Sequence, residues 1–82
     1  MRVEVILPKV DMDMDTGVIV EWKVADGARV REGEILFDME TNKSVMEVES
    51  PGSGIIRGLA PITGEPIAIG TPVAWIYDEE QV

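Results

Sequence analysis

Apolar positions in this chain come in short runs, broken every few residues by Gly, Pro, Asp or Asn. The runs are rich in Val and Ile, and few exceed eight residues without a break. Within Met46-Glu47-Val48-Glu49 apolar and charged residues alternate, the pattern of a strand with one buried and one wet face. No segment holds a 3.6-residue helical period. The pattern predicts strands at residues 3–8, 17–24, 28–31, 35–41, 44–49, 54–60, 66–69 and 72–78. Short strands at such regular spacing predict an all-β sandwich or barrel.

The chain also repeats itself. Displaced by 37 residues, Gly17 falls on Gly54, Gly27 on Gly64 and Gly33 on Gly70. Val18 and Ile19 fall on Ile55 and Ile56, Val30 on Ile67, Leu36 on Val73 and Met39 on Ile76. Three glycines in register mark shared backbone needs at turns or bulges, and the apolar matches mark shared core positions. The expected architecture is two similar four-strand halves, packed as two sheets about a pseudo-two-fold axis. Residues 1–78 form this domain; the acidic residues 79–82 are a tail or the start of a linker.

The join between the halves is Glu40-Thr41-Asn42-Lys43-Ser44-Val45-Met46. A two-residue hairpin favours residues that accept positive φ, such as Asn-Gly. None of the eight glycines stands here; a lysine does. The symmetry mate of this turn is the gap between the last strand and the first, where the chain ends lie. The turn and the termini therefore belong at opposite ends, and a group carried on Lys43 would point away from any tether.

Composition narrows the chemistry. With 82 residues, 45% of them hydrophobic, the chain makes one folded domain. No cysteine and no histidine are present, which removes disulfides, thiolate metal sites and histidine-dependent triads. A net charge of −9 argues against nucleic acid and anionic membranes and favours basic partners. The N-terminus shows no signal-peptide pattern, so the expected location is cytoplasmic, or the mitochondrial matrix once a transit peptide is removed. Ser44, Ser50 and Ser53 have no base to activate them as nucleophiles. A turn lysine taken alone is ordinarily a solvated one.

Leu7-Pro8-Lys9, Gly17-Val-Ile-Val-Glu-Trp22, Asp26-Gly27, Val30, Glu32-Gly33, Glu40-Thr-Asn-Lys43 and Met46 through Gly54 together resemble the lipoyl domains of 2-oxo acid dehydrogenase complexes. The resemblance covers nearly the whole chain. It implies a flattened eight-strand barrel, or barrel-sandwich hybrid, with Lys43 joined to lipoic acid through an amide bond. It implies a non-catalytic carrier within a dihydrolipoamide acyltransferase of a pyruvate-, branched-chain- or acetoin-type complex. Its partners would be a lipoate ligase or lipoyl transferase, a thiamine-diphosphate decarboxylase-dehydrogenase, the acyltransferase core and a dihydrolipoyl dehydrogenase. Glu40 would direct the ligase to the right lysine. Asn42 stands where the family usually has Asp, and Asn42 and Ser44 flank the lysine where biotinyl domains usually have methionines. A biotin carboxyl carrier and an unmodified interaction module on the same fold are the alternatives.

Asp11-Met-Asp13-Met-Asp15-Thr-Gly17 resembles the start of an EF-hand loop, but the sixth position is Thr16 and the twelfth Trp22, which defeats calcium binding. The three aspartates read as a solvated loop, or, by the resemblance, as an acidic recognition patch beside Lys43. Met12, Met14, Met39 and Met46 read as core or loop packing. Trp22 and Trp75 read as core anchors. Glu47 and Glu49 read as solvated charges; Lys9 and Lys23, the competing amines besides the N-terminus, fall in or beside strands, which argues against their modification.

Overall fold

A computed structural model describes residues 2–9 and 12–78. Among these the chain forms eight strands: β1 (Arg2–Ile6), β2 (Thr16–Trp22), β3 (Arg29–Val30), β4 (Ile35–Glu40), β5 (Val45–Glu49), β6 (Gly54–Arg57), β7 (Ile67–Ala68) and β8 (Pro72–Tyr77). The eight predicted strands are all found, most of them shorter at one or both ends. The trimmed residues leave the strands, though some stay tied to a neighbouring strand, as Lys23 N–H is to the Leu36 carbonyl of β4 and Ala60 N–H to the Val73 carbonyl of β8. The tail at 79–82 lies outside the described residues.

The strands form two antiparallel sheets, ordered β1-β8-β6-β3 and β5-β4-β2-β7. Advancing each label of the first order by four, cyclically, gives the second. The pseudo-two-fold therefore exchanges the sheets. Each sheet takes two strands from each half, so neither half is a layer by itself. The interleaving follows from closing each sheet across the join: β1 pairs with β8, and β5 with β4.

Burial repeats with the topology. β1 and β5 share one pattern, exposed except at Val5 and Val48. Gly17-Val-Ile-Val and Gly54-Ile-Ile-Arg share another. The core between the sheets holds Ile19 with Ile56, Leu36 with Val73, and Met39 with Ile76, each pair 37 residues apart. Phe37, fully buried, fills the centre, and Leu7 and Met14 complete the core from outside the strands. Each fully buried side chain of this size stabilises the fold by roughly 1.5–3 kcal/mol.

The repeated glycines serve two different needs. Gly27, Gly64, Gly33 and Gly70 occupy turns at φ of 90°, 79°, 88° and 89°, where only glycine is unstrained. Gly17 and Gly54 are not turn glycines, contrary to the sequence expectation. They lie in β2 and β6, where neighbours leave no room for a Cβ, and Gly54 also holds a φ of 153°.

The tryptophans also divide. Trp22 packs on the core, its ring 4.8 Å from that of Phe37, and its indole N–H donates to the Ala60 carbonyl at 2.9 Å. Trp75 is not a core anchor. It shares the outer face of its sheet with Glu4 and Arg57, and the Arg2 guanidinium lies 4.2 Å from its ring centre. Strand parity decides this, because Ala74 and Ile76 on either side are the buried residues.

Candidate functional site

β4 and β5 form a hairpin whose last strand pair is Glu40 with Val45. Residues 41–44 make the turn. The Thr41 N–H donates to the Ser44 carbonyl at 2.8 Å. The Thr41 hydroxyl donates to the same carbonyl at 3.0 Å and accepts from the N–H groups of Lys43 and Ser44, each at 3.2 Å. No non-glycine residue among those described has positive φ. Asn42 and Lys43 therefore turn the chain without the conformation that Asn-Gly would supply. Asn42, Lys43 and Ser44 are exposed, and Thr41 is half-buried.

Register places the turn relative to the chain ends. β5 leads away from it to Glu49, and just beyond, a Cβ on Gly52 would touch Val3 Cγ2 at 3.4 Å. Arg2 pairs with Tyr77, so the first and last strands begin and end there too. The described residues extend 39 Å along their longest axis, and the Arg2–Tyr77 pair lies at the end of β5 away from the lysine turn.

Residues paired across neighbouring strands share a face. Val18, Glu40 and Val45 form one outward row beside the turn; Glu21, Asp38 and Glu47 form the next. The intervening rows, Ile19-Met39-Met46 and Trp22-Phe37-Val48, point to the core. Charge is divided between the sheets. Strands β2, β4 and β5 carry Glu21, Asp38, Glu40, Glu47 and Glu49 and no cation, whereas β1, β3 and β6 carry Arg2, Arg29 and Arg57 against Glu4 alone. Lys23, directly after β2, is hydrogen-bonded to Glu21 and, at 3.3 Å, ion-paired with Asp38. Those two bonds to carboxylates raise its pKa above the usual lysine value.

The β1–β2 loop meets the same end. Val18 pairs with Glu40, so the residues preceding β2 flank the turn. Asp13 and Asp15 are exposed there; Asp11 lies outside the described residues. The Asp15 carbonyl accepts from Ile69 N–H at 2.9 Å, tying the loop to the β7–β8 turn. Met14 is buried beneath the loop and Met39 in the core, but Met12 is 89% exposed and Met46 38%. Met12 is not a packing residue of the kind expected, whereas Met46 faces the core from the edge strand β5 and is only partly covered. Glu47 and Glu49 are exposed; Lys9 follows β1 and is exposed, and Lys23 is tied to its carboxylates.

Sequence reasoning missed Thr41. Its signal was present: a threonine two residues before the tip invites a side-chain turn, in which the hydroxyl replaces a backbone carbonyl. Ser50 was considered only as a nucleophile. It is 4% exposed, and its hydroxyl donates to the Gly52 carbonyl at 2.6 Å.

The family described as "Biotin-requiring enzyme" matches residues 3–76. The dihydrolipoyllysine-residue acetyltransferase component of the pyruvate dehydrogenase complex of Zymomonas mobilis is 39% identical over 75 residues, 90% of this chain and 17% of that protein. The pyruvate dehydrogenase E1 component subunit beta of Rhizobium meliloti is 33% identical over 80 residues, 96% of this chain and 17% of that protein. The chain thus spans about a sixth of the length of these relatives. The solution structure of the lipoyl domain of the Azotobacter vinelandii 2-oxoglutarate dehydrogenase complex superposes with a TM-score of 0.73 at 24% identity, covering 93% of this chain and 96% of that one. That likeness shows the fold.

Proposed function

This chain belongs to the biotin- and lipoyl-attachment family, homologous to the lipoyl domains of dihydrolipoyllysine acyltransferases, and from that premise we propose that Lys43 is its attachment residue, bearing lipoic acid. The observation that carries the reading is the place of Lys43: exposed at the tip of the β4–β5 hairpin, away from the Arg2–Tyr77 pair. The residues present fit the group. An amide needs an accessible primary amine, and a turn whose backbone bonds are already made can present one without unfolding a strand. Once attached, the dithiolane supplies reversible opening of a disulfide and carriage of an acyl group on sulfur.

The protein's own part is presentation. Sheet pairing fixes the hairpin, and the far-end termini keep any tether clear of the tip. Tethering raises the local concentration of the carrier at each partner. The carboxylate rows on the sheet that carries Lys43 favour approach to basic surfaces. Glu40, in the row beside the turn, would guide the ligase, and Asp11, Asp13 and Asp15 would meet partner enzymes.

The partners we propose are a lipoate ligase or lipoyl transferase, a thiamine-diphosphate decarboxylase-dehydrogenase, an acyltransferase core and a dihydrolipoyl dehydrogenase. The host would be a dihydrolipoamide acyltransferase of a 2-oxo acid dehydrogenase complex, in the cytoplasm or the mitochondrial matrix. Intact mass after incubation with lipoate ligase, ATP and lipoate tests the assignment. The wild-type chain should gain one lipoyl group and Lys43→Arg none, with biotin ligase modifying neither. A wild-type chain left unmodified while a control domain is loaded would refute it, and biotin uptake at Lys43 would establish the biotinyl alternative.

A further inference from the structure

One side chain completes the closure of the hairpin that carries Lys43, beside the backbone bond from the Thr41 N–H to the Ser44 carbonyl. A four-residue turn is ordinarily closed by the first carbonyl accepting from the fourth N–H. Here the Ser44 N–H donates to the Thr41 hydroxyl instead, and so does the Lys43 N–H. The hydroxyl's own proton goes to the Ser44 carbonyl. A single Oγ1 thus engages three backbone groups of the two residues Lys43 and Ser44.

The arrangement solves a geometric problem. Right-handed residues at a two-residue hairpin tip match strand twist poorly, which is why positive-φ residues are favoured there. Asn42 and Lys43 are not at positive φ. The threonine hydroxyl gives their turn a closing acceptor that the backbone does not provide. Without it, the Lys43 and Ser44 N–H groups lose their hydroxyl acceptor, the Thr41 N–H bond to the Ser44 carbonyl remains, and the tip beyond that bond samples several conformations.

We propose that Thr41 is a positioning residue for Lys43: its hydroxyl holds the tip in the single conformation that the lipoylating enzyme binds. The inference rests on Lys43 being the lipoylated residue. An enzyme that binds only the closed tip meets a fraction f of competent substrate, so its apparent affinity falls by that fraction. Chemistry after binding is untouched. Loss of the hydroxyl should therefore raise KM and leave kcat alone. A closed fraction reduced to about one-tenth raises KM about tenfold, equivalent to about 1.4 kcal/mol.

Thr41→Val keeps the β-branched shape and deletes the hydroxyl; Thr41→Ser keeps the hydroxyl and deletes the methyl. Steady-state lipoylation by lipoate ligase, followed by intact mass, gives KM and kcat for both variants and the wild type. Amide hydrogen exchange by NMR on the unmodified domain reads the tip directly. For Thr41→Val we expect KM to rise about tenfold at unchanged kcat. The Lys43 and Ser44 amides should exchange several-fold faster, with β2 and β8 amides unchanged. Thr41→Ser should stay within about twofold of wild type. A wild-type KM for Thr41→Val overturns the inference while leaving the attachment reading intact. So does a loss shared by Thr41→Ser, or faster exchange spread over all strands, which would mark general destabilisation. A wild-type chain that accepts no lipoate removes the attachment reading, and this inference with it.

Discussion

Gly17 and Gly54 are the same position in the two halves, yet one added methyl should read them very differently. In Gly54→Ala the new Cβ would lie 2.1 Å from the Tyr77 carbonyl oxygen and 3.0 Å from Ile76 Cγ2. The optimum for such contacts is roughly 3.5 Å, so the overlap exceeds an ångström. The obstacle is backbone, and Gly54 itself sits at a φ of 153° that an alanine rarely adopts. β8 is held between β1 and β6 and cannot retreat without breaking the Ile55–Tyr77 pairing. Overpacking plus lost ladder bonds costs about 3–5 kcal/mol. In Gly17→Ala the new Cβ would meet Met39 Sδ at 2.8 Å and Leu7 Cδ2 at 3.3 Å. A thioether can swing aside, and the cost falls to about 1–2 kcal/mol. A domain of this length is stable by roughly 4–12 kcal/mol. With a urea slope of about 1 kcal/mol/M, Gly17→Ala should lower the unfolding midpoint by about 1–2 M. Gly54→Ala should lower it by about 3–5 M, enough to erase much of the folded baseline. Urea titration followed by far-UV circular dichroism and tryptophan fluorescence measures both. A Gly54→Ala midpoint within about 1 M of wild type, or a larger loss at Gly17, would refute the close-approach argument.

Two further outcomes follow from the sheet that carries Lys43. The Lys23 pKa is raised by its bonds to Glu21 and Asp38, so its contribution is present below the unfolded lysine pKa and fades as pH climbs through the folded one. The wild-type urea midpoint should therefore fall more steeply than that of Lys23→Met above about pH 10, and parallel pH profiles would contradict this. Trp22→Phe keeps an aromatic ring beside Phe37 but leaves the Ala60 carbonyl without the indole donor. It should cost about 1–2 kcal/mol in chemical denaturation, and an unchanged midpoint would show that the bond contributes nothing net.

Much of the site was legible before the fold. Lys43 stood out because it replaced a turn residue at the join of two repeats, and repeat counting alone sent it to the end away from the termini. Thr41 was less visible, because its importance lies in which backbone groups its hydroxyl reaches. Trp75 was misread for a related reason. Tryptophan is large and apolar enough to suggest a core, but its face was set by the pairing of Arg57 and Glu4 with it. Met12 followed the same error: its apolar character said nothing of a loop that buries Met14 and exposes its neighbour.

What the sequence determined by itself is whatever local chemistry controls. Short Val- and Ile-rich runs, turn glycines and a 37-residue echo specify eight strands and a two-fold, because strand formation and positive φ are properties of a few adjacent residues. Only the tertiary structure decided that the halves interleave, each giving two strands to each sheet. It also decided that two equivalent glycines face different obstacles, and that carboxylates gather on one sheet while the strand arginines take the other. These facts depend on register between strands far apart in sequence. A one-residue slip would exchange every inward side chain for an outward one, so no property of a single segment could fix them.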